Sequence, residues 1–245
     1  MILGAAARKA ETFTRDEEQA QEPSARPRRP LFAVAAVIHV QRRSYPARVV
    51  KRAIDIAGSL LGLLLLSPLF VLVAVLVKLT SRGPIFFAQD RCGLGGRVFR
   101  FYKFRTMCAD AETRKAELAH LNEMEGPAFK LKRDPRITRF GWLLRKLSID
   151  ELPQLWNVLR GDMSLVGPRP PVPDEVERYT DDHAQRLSVI PGITGLWQVS
   201  GRSLIADFDH WLELDLRYAR RWTLWLDLKI LAKTVIVVLL TRGAQ

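Results

Sequence analysis

The chain has 245 residues with 38 lysines and arginines against 26 aspartates and glutamates, a formal net charge of +12, and 48% hydrophobic residues. This pairing points to a basic globular part joined to something apolar, with an anionic partner: nucleic acid, acidic lipid head groups or a phosphorylated substrate. Cys92 and Cys108, the only cysteines, lack metal-ligand spacing and exclude a disulfide-framed secreted fold, so a reducing, cytosol-facing location is the default.

Residues 1–30 lack apolar periodicity and read as a disordered tail; the opening Met1–Ala7 is too short an apolar run for a signal peptide. Residues 31–41 are apolar but brief, a strand or an interfacial segment. From Ile56 to Val77 run 22 residues without a charge, about 33 Å as a straight helix and enough for a bilayer core. Ser67-Pro68 interrupts this run, where proline removes a backbone hydrogen bond. Both flanks are basic, Arg42, Arg43, Arg48, Lys51 and Arg52 before and Lys78, Arg82, Arg91, Arg97 and Arg100 after. A spanning helix has one basic flank, so the segment reads as re-entrant, turning at Ser67-Pro68 and leaving by the face it entered. A kinked transmembrane helix is the simpler alternative.

Ile85–Gln89 and Val98–Arg105 read as two strands joined at Gly93-Leu94-Gly95-Gly96. In the second, Lys103 and Arg105 alternate with aromatic residues and place two cations on one face, either solvated or a diphosphate site. Residues 108–125 are helix-prone with alternating charge, and residues 129–141 are basic. Ser148 stands as a natural N-cap to a helix through Leu152, Leu155, Trp156 and Leu159, closed by Gly161. Asp150-Glu151 falls in its first turn, with Glu151 in the capping-box position. Capping outweighs catalysis on these residues alone. Residues 190–202 are glycine-rich. Ile205, Phe208, Leu212, Leu216 and Ala219 mark the apolar side of a helix whose polar side includes Asp215. Leu224–Leu240 carries Asp227, Lys229 and Lys233 and reads as an interfacial or core helix, with Trp222 and Trp225 suited to the head-group level.

Several pieces occur together in one order: Lys51-Arg52-x-x-Asp55, Ser67-Pro68, Gly83–Gly93, Lys103-Phe104-Arg105-Thr106-Met107, Asp134-Pro135-Arg136-Ile137-Thr138, Leu147–Gln154, Asn157–Pro170, Pro191-Gly192-Ile193-Thr194-Gly195 and Arg242-Gly243-Ala244. Over about residues 48–245 the chain resembles the bacterial sugar transferase family, monotopic polyprenyl-phosphate phosphoglycosyl transferases. It is similar to the catalytic module of longer members, without their preceding transmembrane helices and extra soluble domain. Cys92 and the terminal Gln245 depart from common family residues without bearing on function. The resemblance implies transfer of a sugar 1-phosphate from a nucleotide diphosphate sugar, usually a UDP-sugar, to polyprenyl (undecaprenyl) phosphate, releasing UMP and initiating exopolysaccharide or glycan synthesis. It places the family's acidic dyad on Asp150-Glu151, with Asp150 as nucleophile and Mg2+ bound by the pair, and its re-entrant break on Ser67-Pro68. It also places the enzyme on the bacterial inner membrane with its catalytic part on the cytoplasmic face.

The expected architecture is mainly α with a small β-hairpin (α+β): a tail over 1–45, a membrane-embedded helix over 46–80 and a cytosolic or interfacial transferase domain over 81–245. A helix N-terminus ringed by Arg145, Arg160 and Arg169 would lower the carboxylate's pKa and receive a diphosphate. Lys103, Arg105, Arg145 and Arg169 are the expected phosphate ligands, with Arg91, Arg136 and Arg202 as weaker candidates. Lys51, Arg52 and Asp55 are expected to anchor the membrane helix, with an Asp55–arginine contact. Expected partners are the UDP-sugar, polyprenyl phosphate and anionic membrane lipids, with no nucleic acid; homo-oligomerisation is left open. The rival classes are a membrane-tethered basic nucleic-acid or protein-binding module and a hydrolase of nucleotide sugars or lipid phosphates. The first would spread its cations over one face among stacking aromatics, whereas here they cluster near turns and the acidic pair.

Overall fold

The computed structural model describes residues 30–38, 44–123, 131, 133–201 and 207–239. The tail over 1–29, Arg42 and Arg43, Arg202 and the Arg242-Gly243-Ala244 ending lie outside the described residues. The chain is mostly helical with two small sheets. A short helix α1 (Leu31–Ala36) precedes two long ones, α2 (Tyr45–Leu65) and α3 (Ser67–Thr80). Residues 31–36 are thus helical rather than a strand, and Val34 is fully buried against Cys92, Val176, Tyr179 and Leu187.

α2 and α3 are bent by 61° at Leu66, and no single described helix is long and apolar enough to cross a membrane. The cause is local: Pro68 has no N–H for the carbonyl of Leu64, and the hydroxyl of Ser67 donates to that carbonyl instead, at 2.8 Å. α2 is amphipathic in the inverse sense of a soluble helix. Lys51, Asp55 and Ser59, spaced by four, are buried, while Leu60, Leu61, Leu64 and Leu65 are exposed. α3 likewise exposes Val71, Leu72, Val75 and Leu79 and buries only Val73 and Val77, against Phe104 and Leu144. Exposed apolar surface this contiguous is where lipid or a partner sits.

The buried polar stripe docks α2 on the rest. Lys51 Nζ donates to Asp227 Oδ2 at 2.7 Å and to the Val166 carbonyl at 3.1 Å. Arg52 donates to the carbonyls of Val158 and Leu159. Asp55 accepts from the Ser164 hydroxyl at 3.0 Å and the Leu165 N–H at 2.9 Å, so its partners are these groups and not an arginine.

β1 (Phe86–Cys92) and β2 (Val98–Phe104) form the expected antiparallel hairpin, with Phe86 opposite Phe104 and Cys92 opposite Val98. The turn between them uses Gly95 and Gly96 at positive φ. The expected helix over 108–125 is reduced to a short α4 (Thr113–Glu117) and one further turn, with residues 124–130 outside the described set. α5 (Arg139–Lys146), capped by Thr138, leads to the acidic pair and to α6 (Gln154–Arg160). β3 (Ser164–Val166) pairs in parallel with β4 (Gly192–Thr194), and two single-turn helices, α7 (Pro173–Val176) and α8 (Asp181–Ala184), lie between them. α9 (Leu196–Val199), α10 (Phe208–Arg220) and α11 (Leu224–Leu239) complete the order. α10 buries Phe208, Leu212 and Ala219 as its periodicity predicts, but also Trp211 and Asp215, the aspartate expected on the polar side. α11 buries Ile230 and Asp227 and exposes Trp225, Leu228, Val235 and Ile236.

Candidate active site

The acidic pair does not open a capped α-helix. Ser148 is the only non-glycine among the described residues at positive φ (+56°), and it makes no side-chain cap. A left-handed residue here costs roughly 1 kcal/mol but reverses the chain tightly after α5. A single 3₁₀ turn, Ile149–Glu151, follows, and α6 starts only after Pro153. The capping box is therefore replaced by a strained turn that holds Asp150 inward, 5% exposed. Glu151 is half-buried, and its Oε1 accepts from Arg169 Nη1 at 2.8 Å.

Four segments bring cations to this turn. From β2, Lys103 lies with Nζ 5.1 Å from the centre of the Phe87 ring, and burial, then the nearby Arg145, pushes its pKa down to about 7. From α5, Arg145 donates through Nε to the Thr106 hydroxyl at 2.9 Å. Burial lowers its pKa, with Asp150 acting in the opposite sense. From the loop after β3 comes Arg169. Arg91 joins from β1, donating to the Pro170 carbonyl at 2.9 Å and stacked over Phe101; burial and then Arg169 bring its pKa to about 10.

Against this ring Asp150 stands apart. Among the described residues no hydrogen bond or ion pair reaches its carboxylate. Its pKa is raised, by burial first and by the charge of Glu151 second, while Lys103, Arg145 and Arg169 act to lower it. The expected depression by a helix N-terminus is thus overturned: there is no α-helix start at this point, and burial outweighs the cations. Arg160, once expected in the ring, faces Asp162 on the surface.

Two other expected phosphate ligands are elsewhere. Arg136 forms a buried fork with Asp134, two residues away, through Nε at 2.9 Å and Nη2 at 2.7 Å, and donates to the Ala111 carbonyl. It is spent on the loop before α5. Arg105 lies beyond the end of β2 and turns to Ser81, where α3 ends.

The loop carrying Arg169 is set by close backbone contact. Gly167 N–H donates to the Thr194 carbonyl and Gly192 N–H to the Pro168 carbonyl, each at 2.8 Å, and a Cβ at position 192 would strike the Gly167 backbone. Arg186, 1% exposed, supports the loop from behind. Its Nη2 donates to the Arg169 carbonyl at 3.2 Å and to Asp215 at 2.7 Å, and its Nη1 to the Tyr179 hydroxyl at 2.8 Å and to Glu175 at 3.4 Å. Sequence reasoning missed Arg186 and Asp215; nothing local marks either, and only folding brings them together.

Asp150 and Glu151 are also the residues that fit a divalent cation. No cluster of three or more metal-ligating side chains occurs among the described residues, so a cage made of protein alone is absent. Two adjacent carboxylates, one raising the pKa of the other, suit a Mg2+ that takes its remaining ligands from water and phosphate.

The turn between α5 and α6 thus holds a carboxylate pair among cations, and the bent apolar helix pair packs beside it. The chain belongs to the bacterial sugar transferase family, whose model matches residues 46–241. It is 50% identical over 201 residues to the galactosyl transferase CpsE of Streptococcus agalactiae serotype III, covering 82% of this chain and 44% of that protein. It is 46% identical over 202 residues to the undecaprenyl-phosphate galactose phosphotransferase of Salmonella typhimurium, covering 81% of this chain and 42% of that protein. To the exopolysaccharide production protein ExoY of Rhizobium meliloti it is 43% identical over 198 residues, covering 79% and 87%. The chain thus spans under half the length of the first two and most of the third.

Proposed function

We propose that this protein is a phosphoglycosyl transferase of the bacterial inner membrane. It moves a sugar 1-phosphate from a UDP-sugar to undecaprenyl phosphate and so begins a surface polysaccharide. The observation that carries the reading is Asp150: a buried carboxylate with no hydrogen bond from the described residues, facing Lys103, Arg145 and Arg169. A structural aspartate would be paired; one kept unbonded among cations is available to attack a phosphorus that those cations hold.

In the first step an Asp150 oxygen bonds to the sugar-bearing phosphorus, the bridging P–O bond breaks, and UMP leaves with that electron pair. In the second, an oxygen of undecaprenyl phosphate bonds to the same phosphorus, the P–O bond to Asp150 breaks, and the carboxylate is restored. Lys103, Arg145 and Arg169 hold the phosphate oxygens and screen the repulsion between carboxylate and diphosphate. Arg91 steadies Arg169's loop through Pro170, and Glu151 orients Arg169. Mg2+ held by Asp150 and Glu151 would neutralise phosphate charge. The bent helix pair is read as re-entrant, with its exposed leucines in lipid and the catalytic part on the cytoplasmic face.

UMP release from UDP-sugars, screened with and without undecaprenyl phosphate, tests the activity. Its absence with every nucleotide sugar would refute it, and turnover surviving chelation would remove the metal. Cysteines placed before Lys51 and after Lys78 should both label from the cytoplasmic side; labelling from opposite sides would establish a span.

A further inference from the structure

Where the bent helix pair ends, the chain gathers three cations. Ser81, Arg82 and Gly83 lead from α3 towards β1. Arg105 lies beneath them, 6% exposed. Its Nη2 donates to the Ser81 carbonyl and hydroxyl, both at 2.7 Å, while Nε and Nη1 are buried without a partner among the described residues. Lys78 Nζ reaches the Gly83 carbonyl at 3.2 Å, and Arg82 is exposed. Gly83 has φ +123°, and a Cβ there would fall on Arg105 Nη1, so only glycine lets the guanidinium lie directly under the turn.

No ion pair among the described residues includes Lys78, Arg82 or Arg105, and the lowered pKa of Arg105 has burial as its cause, with no carboxylate opposing it. The carbonyl end of α3 contributes about half a negative charge against three positive ones. A buried guanidinium with no counter-charge is unfavourable unless an anion lies close by. The neighbouring surface says what kind of anion. Val71, Leu72, Val75 and Leu79 are exposed along α3, so an apolar track ends at the cations.

We infer that Lys78, Arg82 and Arg105 form a binding site for the phosphate head group of a membrane lipid, separate from the Asp150 pocket. Lys78 and Arg82 contact the phosphate oxygens, and Arg105 adds its charge through a thin layer of protein, where screening by water is weak. The hydrocarbon chain follows the exposed side of α3. The inference rests on the membrane reading for the placement of α3 in lipid. Two sources share this chemistry: the phosphodiester of an anionic phospholipid and the phosphomonoester of a polyprenyl phosphate.

The test uses the full chain in nanodiscs of phosphatidylcholine alone, with added phosphatidylglycerol, or with added undecaprenyl phosphate. The readouts are the unfolding midpoint and the lipid retained in native mass spectrometry. The wild-type midpoint should rise with at least one added lipid, and whichever raises it identifies the source. Each of Arg105→Gln, Lys78→Gln and Arg82→Gln should weaken retention by about fivefold, from the field of one cation at a membrane surface. Arg105→Lys should keep part of the rise, and Gly83→Ala should behave like Arg105→Gln. An unchanged rise in the glutamine variants, or no rise in the wild type, would overturn the site. If Arg105→Gln does not fold, the Lys78→Gln/Arg82→Gln double variant carries the test, because it leaves the Arg105–Ser81 contact in place. UMP release is followed alongside: its absence with the lipid-dependent rise intact defeats the transferase reading and not this site.

Discussion

Around Arg186 and around Asp150 the protein treats buried charge in opposite ways. Arg186 meets Asp215, Glu175 and the Tyr179 hydroxyl directly and lies 4.8 Å from the Trp211 ring centre. Around Asp150, Lys103, Arg145, Arg169 and Arg91 face two carboxylates, and Glu151–Arg169 is the one direct ion pair among the described residues. The first cluster pairs its charges directly and holds the loop, although Arg186 Nε and Asp215 Oδ1 are buried without a hydrogen-bond partner among the described residues; the second carries surplus positive charge and a carboxylate that none of those cations bonds, and in the proposed function an anionic substrate supplies the balance. Charges paired directly mark the scaffold, and a carboxylate left unpaired amid cations marks the candidate site.

The sharpest way to break this contrast is at the unbonded carboxylate. Asp150→Asn should lower UMP release by a factor on the order of 10^4 or more, as loss of a nucleophile does elsewhere. Its unfolding midpoint should stay near or above that of the wild type, because no hydrogen bond from the described residues is lost and a buried charge is removed. Substantial residual turnover would take the nucleophile's role away from Asp150. The scaffold should respond in the reverse manner. Arg186→Met leaves Asp215 and Glu175 buried without their cation and should cost about 3–5 kcal/mol in chemical unfolding. A variant as stable as the wild type would show that the cluster around Arg186 does not hold the loop.

A smaller effect is expected one residue behind the ring. Thr106 is buried, and its hydroxyl accepts from Arg145 Nε. Thr106→Val removes that acceptor at nearly constant volume and should lower kcat/KM by roughly tenfold, the worth of one hydrogen bond to a charged group. Thr106→Ser should restore it. Equal losses in the two variants would mean that packing, not the hydroxyl, matters there.

The contrast also explains what could be read in the sequence. Leu152, Leu155 and Trp156 announced a helix near the dyad, but Ser148 in the left-handed region and Pro153 in the turn converted its first residues into a 3₁₀ turn, a choice that side-chain periodicity does not encode. Lys103, Arg145 and Arg169 were legible because each sits in a short motif close to a turn. Arg136 shows the limit: Asp134 two residues away was visible, yet the pattern alone does not decide between a local fork and a substrate contact. Strand alternation puts Arg105 on the face of Lys103, but the strand ends at Phe104. Periodicity allows α10 one buried face and so puts Asp215 on the wet side, whereas folding supplies Arg186 from far along the chain. The break at Ser67-Pro68 was readable because its cause, a missing N–H, is local.

The subtlest prediction concerns pH. Attack requires Asp150 ionised, and phosphate binding requires Lys103 protonated. Burial and Glu151 place the Asp150 pKa above the ordinary carboxylate range, while burial and Arg145 bring Lys103 down to about 7. The profile of kcat/KM, which reports the free enzyme, should therefore be a narrow bell with its alkaline limb near pH 7. Glu151→Gln removes the like charge and should move the acid limb to lower pH. Lys103→Met should abolish the alkaline limb while lowering the whole profile. Stability gives an independent sign. Between the folded value near 7 and the ordinary lysine value near 10.5, the unfolded chain holds a proton on Lys103 that the folded chain has released. The term ν_U − ν_N is then positive, and the Lys103 contribution makes the substrate-free protein more stable as pH rises through that window. Saturating UDP should cancel this slope, because the bound diphosphate keeps Lys103 protonated. A slope unchanged by UDP, with UDP shown to bind, would place the diphosphate away from Lys103 and separate the carboxylate pair from the cations that are held to serve it.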